Sequence, residues 1–105
     1  MLLFKPEHVK PIQDGIKTAT RRQWKKCRVK VGSVHLCKTK MLSKDYFAKV
    51  RIVKTYKQKL KHMVMEDYLA EGGYIKEEYI NKWREINGTY DKDEIVWVVK
   101  FELVR

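Results

Sequence analysis

Two alternating apolar runs limit the folds open to this chain. In Tyr46 to Tyr56, Ala48, Val50, Ile52 and Lys54 alternate with Phe47, Lys49, Arg51 and Val53. In Ile95 to Val104, Val96, Val98 and Lys100 alternate with Ile95, Trp97, Val99, Phe101 and Leu103. Period-two alternation of this length specifies β-strands. The first run alternates imperfectly, which predicts a bulge or a strand that wraps a barrel corner. Two helical segments lie between the runs. Met63 to Ala70 ends at Gly72-Gly73, and the next helix puts Ile75, Tyr79, Trp83 and Ile86 on one side before stopping at Asn87-Gly88.

The first half supplies shorter elements. Met1 to Phe4 reads as a strand, and Pro6 with Glu7 opens a short helix carrying Val9, Ile12 and Ile16. Gly15 is placed to stop that helix. Thr18 to Arg22 reads as extended, Trp24 to Lys30 as an exposed loop, Val31-Gly32-Ser33 as a turn and Val34 to Thr39 as a strand. The sum is about five strands and three short helices, with strands on both sides of the helical pair. This α+β order lacks regular β–α alternation. It predicts a small, mostly antiparallel β-barrel with helices across one opening, forming one domain over residues 1–105.

Charge narrows the function. Residues 1–59 hold 17 Lys and Arg against three acids, whereas residues 60–105 hold seven against ten. Such segregation points to a polyanion-facing surface built from the first half. No apolar run approaches the roughly 20 residues of a membrane span, and the N-terminus lacks a signal-peptide pattern. A cytoplasmic protein is expected, with a monomer favoured. Cys27 and Cys37 read as free thiols. Cys-x-x-Cys and His-x-x-x-His spacings are absent, so no metal or cofactor is predicted. His8, His35 and His62 form no triad pattern and receive no catalytic role.

The segment Gly15-Ile16-Lys17-Thr18-Ala19-Thr20-Arg21-Arg22 concentrates a turn glycine, an amine, two hydroxyls and two guanidinium groups. Trp24, Lys25, Lys26 and Arg28 extend the cationic run and add a base-stacking candidate. Lys17 and Thr20 would point to opposite faces of a regular strand. A Lys17–Thr20 pair therefore requires Lys17 to sit in the turn before the strand begins. Arg21 and Arg22 alternate, so at most one is expected in any cleft. Trp83 and Trp97 read as core residues.

The Gly15-x-Lys17-Thr18-x-Thr20-Arg21 motif, with the Val31-Gly32-Ser33 turn, the Glu71-Gly72-Gly73 stretch and the closing strand, resembles the ASCH domain family of the PUA-like superfamily. The resemblance covers nearly the whole chain. It implies a barrel with a cleft between barrel and helices, and binding of RNA or other nucleic acid. A bacterial branch of similar length is an amidohydrolase acting on N4-acetylcytidine, a pyrimidine nucleoside. Carried over from it, the catalytic residues are Lys17, Thr20 and Glu71, with Glu66, Asp67 and Glu77 as alternative acids. Arg21, Arg22, Trp24, Lys25, Lys26 and Arg28 are the nucleic-acid contacts this reading expects.

The enzyme reading sets chemical conditions. Thr20 needs a base to take its proton. Lys17 serves only if desolvation and cationic neighbours lower its pKa. Glu71 would need an apolar setting, to which Tyr68 and Tyr74 contribute, to deliver a proton to the leaving amine. A third class, a small interaction protein that meets an acidic partner without chemistry, is also compatible with the charge.

Overall fold

The computed structural model describes residues 1–105. In chain order the elements are β1 (Leu2–Leu3), a 3-10 turn (Pro6–His8) running into α1 (Val9–Gln13), β2 (Ala19–Arg22), β3 (Val34–Lys38) and β4 (Ala48–Lys59). A second 3-10 turn (Leu60–His62), α2 (Met65–Gly72), α3 (Lys76–Asn87) and β5 (Ile95–Val104) complete the fold. The strands form one sheet in the order β1-β3-β4-β5-β2. The β1–β3 pair is parallel and the other pairs are antiparallel. The sheet curls into a half-barrel whose edges are β1 and β2, which are not paired with each other.

The long strands behave as their patterns imply, with two differences. β4 begins at Ala48 rather than Tyr46 and runs on to Lys59, because Lys57, Gln58 and Lys59 pair with Trp97, Val96 and Ile95. Cross-strand pairing here overrides the low strand preference of lysine. The expected bulge lies at Val53, where the register slips between Ile52 and Lys54. Ile52 opposes Phe101 and is buried, whereas Lys54 opposes Lys100 and is exposed. One extra residue thus turns β4 inside out as it leaves the first core.

β5 separates two cores. Val99 and Phe101 join Leu2, Phe4, Ile12, Val50 and Ile52 on one face. Val96 joins Leu60, Met63, Tyr68, Tyr79 and Trp83 under the helices on the other. Val96, Val98 and Val99 are all buried, so both faces of β5 are apolar here, while Ile95 at the strand start is exposed. Trp97 corrects the expectation of a core residue. It is half-buried, and Lys57 Nζ lies 5.3 Å from its ring centroid. It opposes Arg22 and Lys57 near the strand end, beyond the cover of the first core.

The helices begin and end on local chemistry. Asp67 Oδ2 accepts the Val64 N–H at 2.9 Å, and Glu78 Oε1 accepts the Ile75 N–H at 3.0 Å. Each carboxylate satisfies a donor that the first turn cannot. α2 ends where Gly73, at φ 78°, donates its N–H to Leu69 O at 2.7 Å. Gly72, at φ 152°, leaves room for the Tyr74 ring, since a Cβ there would stand 2.9 Å from Tyr74 Cε2. No helix is long and apolar enough to cross a membrane.

Gly72→Ala is expected to lower stability by about 1–3 kcal/mol in urea unfolding, from backbone strain and the displaced ring. Wild-type stability in that variant would mean that the Tyr74 ring does not need the space left at Gly72.

Candidate functional site

The site is built along the free edge of β2. Phe101 donates its N–H to Thr18 O at 2.9 Å. The Thr18 N–H donates instead to Ala70 O on α2 at 2.8 Å. By antiparallel alternation, Thr20 and Arg22 exchange backbone bonds with β5, while the backbone groups of Ala19 and Arg21 face the open edge. Lys17 lies in the turn before β2, as a Lys17–Thr20 site requires. It is 3% exposed. Its ammonium donates to Ala19 O at 3.0 Å, Glu71 O at 2.8 Å and Glu71 Oε1 at 3.4 Å. Three protons meet three acceptors.

The other carboxylate oxygen of Glu71 accepts from Arg21 Nη1 at 2.8 Å. Arg21 also donates from Nε and Nη2 to Gln58 Oε1, at 3.2 and 2.8 Å, and its Nη2 stands 3.4 Å from Asp67 Oδ1. A buried anion on α2 is therefore clamped by two buried cations from the β2 segment. Burial pushes the Lys17 pKa down, and the Glu71 carboxylate opposes that shift. Tyr79, packed beside this network, has its pKa raised by burial and then by Glu71, so its phenol keeps its proton.

Arg22 holds the barrel opening together. Its Nη2 donates to Leu3 O at 2.7 Å, joining the edge strands β1 and β2 through a side chain. Its Nε donates to Thr20 Oγ1 at 3.3 Å, and its guanidinium lies 4.9 Å from the Phe4 ring centroid. No carboxylate pairs with it.

These groups form one end of a cleft of about 410 Å³ between the N-terminal segment, β2 and the two helices. Lys17, Thr20 and Glu71 all line it, with aromatic surface from Phe4, Tyr74, Tyr79 and Trp83. Lys82 adds a cation to the lining and reaches Glu7 Oε2 at 2.9 Å, tying α3 to the N-terminal turn. Glu71 is the only carboxylate in the lining. Asp67 approaches Arg21 instead, and Glu66 and Glu77 are exposed. No hydrogen bond joins Lys17 Nζ to Thr20 Oγ1; Thr20 is held by Arg22.

The expected nucleic-acid contacts separate. Arg21 is a correction. Its side chain is fully buried and is engaged by Glu71, Asp67 and Gln58, so it secures α2 rather than offering a phosphate contact. Both arginines nevertheless line the cleft, because it wraps an edge strand and reaches both its faces. Trp24 and Arg28 line a second recess of about 220 Å³, which shares Leu3 and Arg22 with the cleft. Lys25 and Lys26 are exposed and line neither.

Sequence reasoning missed His8. It is buried in the lining, and its Nδ1 has no partner. Burial, then Lys17, pushes its pKa down to about 4, so the ring is neutral near pH 7. No local signal marks it, because the fold of the N-terminal turn against the cleft creates its environment. Tyr79 and Trp83 were legible as a helical apolar face, but not as walls. No group of three His, Cys, Asp or Glu side chains is arranged to hold a metal ion.

The architecture is that of an ASCH domain. The chain is similar in structure to the ASCH domain of Lactobacillus crispatus JV V101, with a TM-score of 0.64 and 13% identity over 90% of this chain and 69% of that one. It is also similar to a DUF984 protein of Enterococcus faecalis V583, with a TM-score of 0.71 and 18% identity over 93% of this chain and 67% of that one. No family model and no curated protein matches the sequence.

Glu71→Gln is expected to cost about 3–5 kcal/mol, because it leaves the buried Lys17 without an anion and Arg21 with only the longer Asp67 contact. Lys17→Met should cost less, since Arg21 still neutralises Glu71. The reverse order in urea unfolding would remove Glu71 from the centre of the network. His8 gives a pH signature. The unfolded ring takes a proton near pH 6.5 and the folded ring only near pH 4. Stability is thus fully present above about pH 6.5 and falls by roughly 3 kcal/mol as pH drops toward 4. His8→Gln should flatten that part of the profile; an unchanged slope would assign it to other groups.

Proposed function

We propose that the chain binds single-stranded nucleic acid, with RNA the expected form, by taking one unpaired base into the cleft and holding flanking phosphates on its positive surface. The observation that carries this reading is the pairing of an aromatic-walled cleft, near 410 Å³, with an unneutralised cationic surface. That volume lies in the range of small-molecule sites, about 300–1,000 Å³. Of the 17 cations in residues 1–59, only Lys10, Lys17, Arg21 and Arg51 stand within ion-pair distance of a carboxylate. The remaining thirteen meet no carboxylate, so the positive charge of this half is largely unneutralised within the chain. RNA is expected because the motif resembles that of ASCH domains, and an unstacked base suits a small cleft better than a duplex.

A second reading draws on Lys17, Thr20 and Glu71 lining the same cleft. Here the protein deacylates N4-acetylcytidine or a related pyrimidine nucleoside. Thr20 Oγ1 attacks the acyl carbon while Lys17 takes the hydroxyl proton, and the C–N bond breaks as Glu71 supplies a proton to the leaving amine. Water then cleaves the acetyl–Thr20 ester, releasing acetate and restoring the hydroxyl. Burial shifts Lys17 in the required direction. Against it, both Glu71 oxygens face cations, and Thr20 Oγ1 accepts from Arg22 rather than meeting Lys17. The substrate would have to rearrange both contacts.

For the binding reading, affinity for a ten-nucleotide RNA should fall with salt, with a log–log slope of about −0.7 per neutralised phosphate. A Lys25→Ala, Lys26→Ala double variant should make that slope shallower by about 1–2. Tyr74→Ala should weaken binding about tenfold with the slope unchanged. Salt-independent affinity, or indifference to Tyr74→Ala, would overturn this reading. For the enzyme reading, N4-acetylcytidine should be turned over by the wild type and by neither Lys17→Ala nor Thr20→Ala. Turnover that persists in Thr20→Ala would remove the threonine from the mechanism.

A further inference from the structure

The second recess lies against the first. Both are lined by Leu3 and Arg22, so Arg22 stands at their junction. The recess adds Trp24, Arg28, His35 and Met41, and it contains no carboxylate. Its charged side chains are thus cationic, and Trp24 supplies an aromatic surface. Arg28 and Arg22 lie 5.7 and 6.0 Å from the Trp24 ring centroid.

Arg22 has donors to spare. A guanidinium carries five N–H groups. Two are committed, to Leu3 O and Thr20 Oγ1, and none meets a carboxylate. An arginine between two hollows, with open donors and no anion, has the chemistry of a phosphodiester contact. Its bond to Leu3 O and its cation–π contact with Phe4 fix it in place, so little order is lost when a ligand arrives.

We propose that the recognised unit is two consecutive nucleotides. One base enters the cleft, the connecting phosphodiester meets Arg22, and the neighbouring base stacks at Trp24. This rests on the base-in-cleft reading and adds the length and connectivity of the ligand. It also gives Trp24 and Arg28 a role that the cleft alone does not.

The test holds charge constant. Six-residue RNA strands are made wholly abasic, with one cytosine, with two adjacent cytosines, or with two cytosines separated by one abasic position. Two adjacent bases should bind roughly fivefold to a hundredfold more tightly than one, the range expected of one base–aromatic stack. Separation by an abasic residue should remove most of the gain. Trp24→Ala should abolish the gain and leave single-base affinity within about twofold, while Trp24→Phe, which keeps a stacking face, should retain most of it. Thermal unfolding of each variant checks the fold, and Arg28→Met gives a second route should Trp24→Ala not fold. Arg28→Met should reduce the gain, read as the ratio of two-base to one-base affinity in the same variant, so that any phosphate attraction lost to all strands cancels. Equal affinity for one base and two adjacent bases, or a gain that survives Trp24→Ala, overturns the two-nucleotide unit while single-base binding stands. If one base binds no better than the abasic strand, the base-in-cleft reading fails and this inference falls with it.

Discussion

The Glu71 carboxylate, held between Lys17 and Arg21, is the contact on which the architecture of the site depends. Neither cation has water to stabilise it, since both are almost completely buried. Without the anion, each would face a desolvation cost of several kcal/mol. The anion comes from α2 and the cations from the β2 segment. The helix therefore cannot slide along the sheet without exposing or stranding a charge. Gln58 on β4 and Asp67 one turn earlier on α2 complete the constraint. The network converts an apolar helix–sheet contact, tolerant of small shifts, into one with a single register.

That register decides which groups a ligand meets. Lys17 and Arg21 are consumed by the network, so the most cationic part of the motif is largely structural. What it leaves without an acid partner is the Arg22 guanidinium, which holds the Thr20 hydroxyl and keeps further donors open. The neutral His8 and the protonated Tyr79 add polarity without charge. A neutral planar group suits such a lining, and an anion suits the cationic rim. Nucleotides combine the two, which is why the cleft and the surface support the same reading.

Much of this was legible in the sequence, for identifiable reasons. Alternation located β4 and β5, and its imperfection marked the bulge at Val53, because pleating is a local property of the chain. Gly72-Gly73 and Asn87-Gly88 marked the helix ends for the same reason. The spacing from Lys17 to Thr20 required a turn before β2, and the turn is there. The orientation of Arg21, the environment of His8 and the half-burial of Trp97 were not legible. Each depends on which strand lies at an edge and which element covers it, and these are long-range facts. A stretch of five apolar residues in β5 likewise hides that its two faces enter different cores.

The open edge of the half-barrel ties these observations together. A closed barrel leaves no strand edge, whereas this sheet leaves β1 and β2 apart. Unpaired edge groups buried without partners would be costly. Here side chains serve them: Lys17 meets the carbonyl of Ala19, and Arg22 spans to the carbonyl of Leu3. Side chains, unlike a fifth ladder of backbone bonds, leave space between them. The backbone N–H and carbonyl of Arg21 face that space, together with the hydroxyl of Thr20. The cleft is thus the seam where the sheet stops short of closure, and the cations of the motif keep it both stable and open.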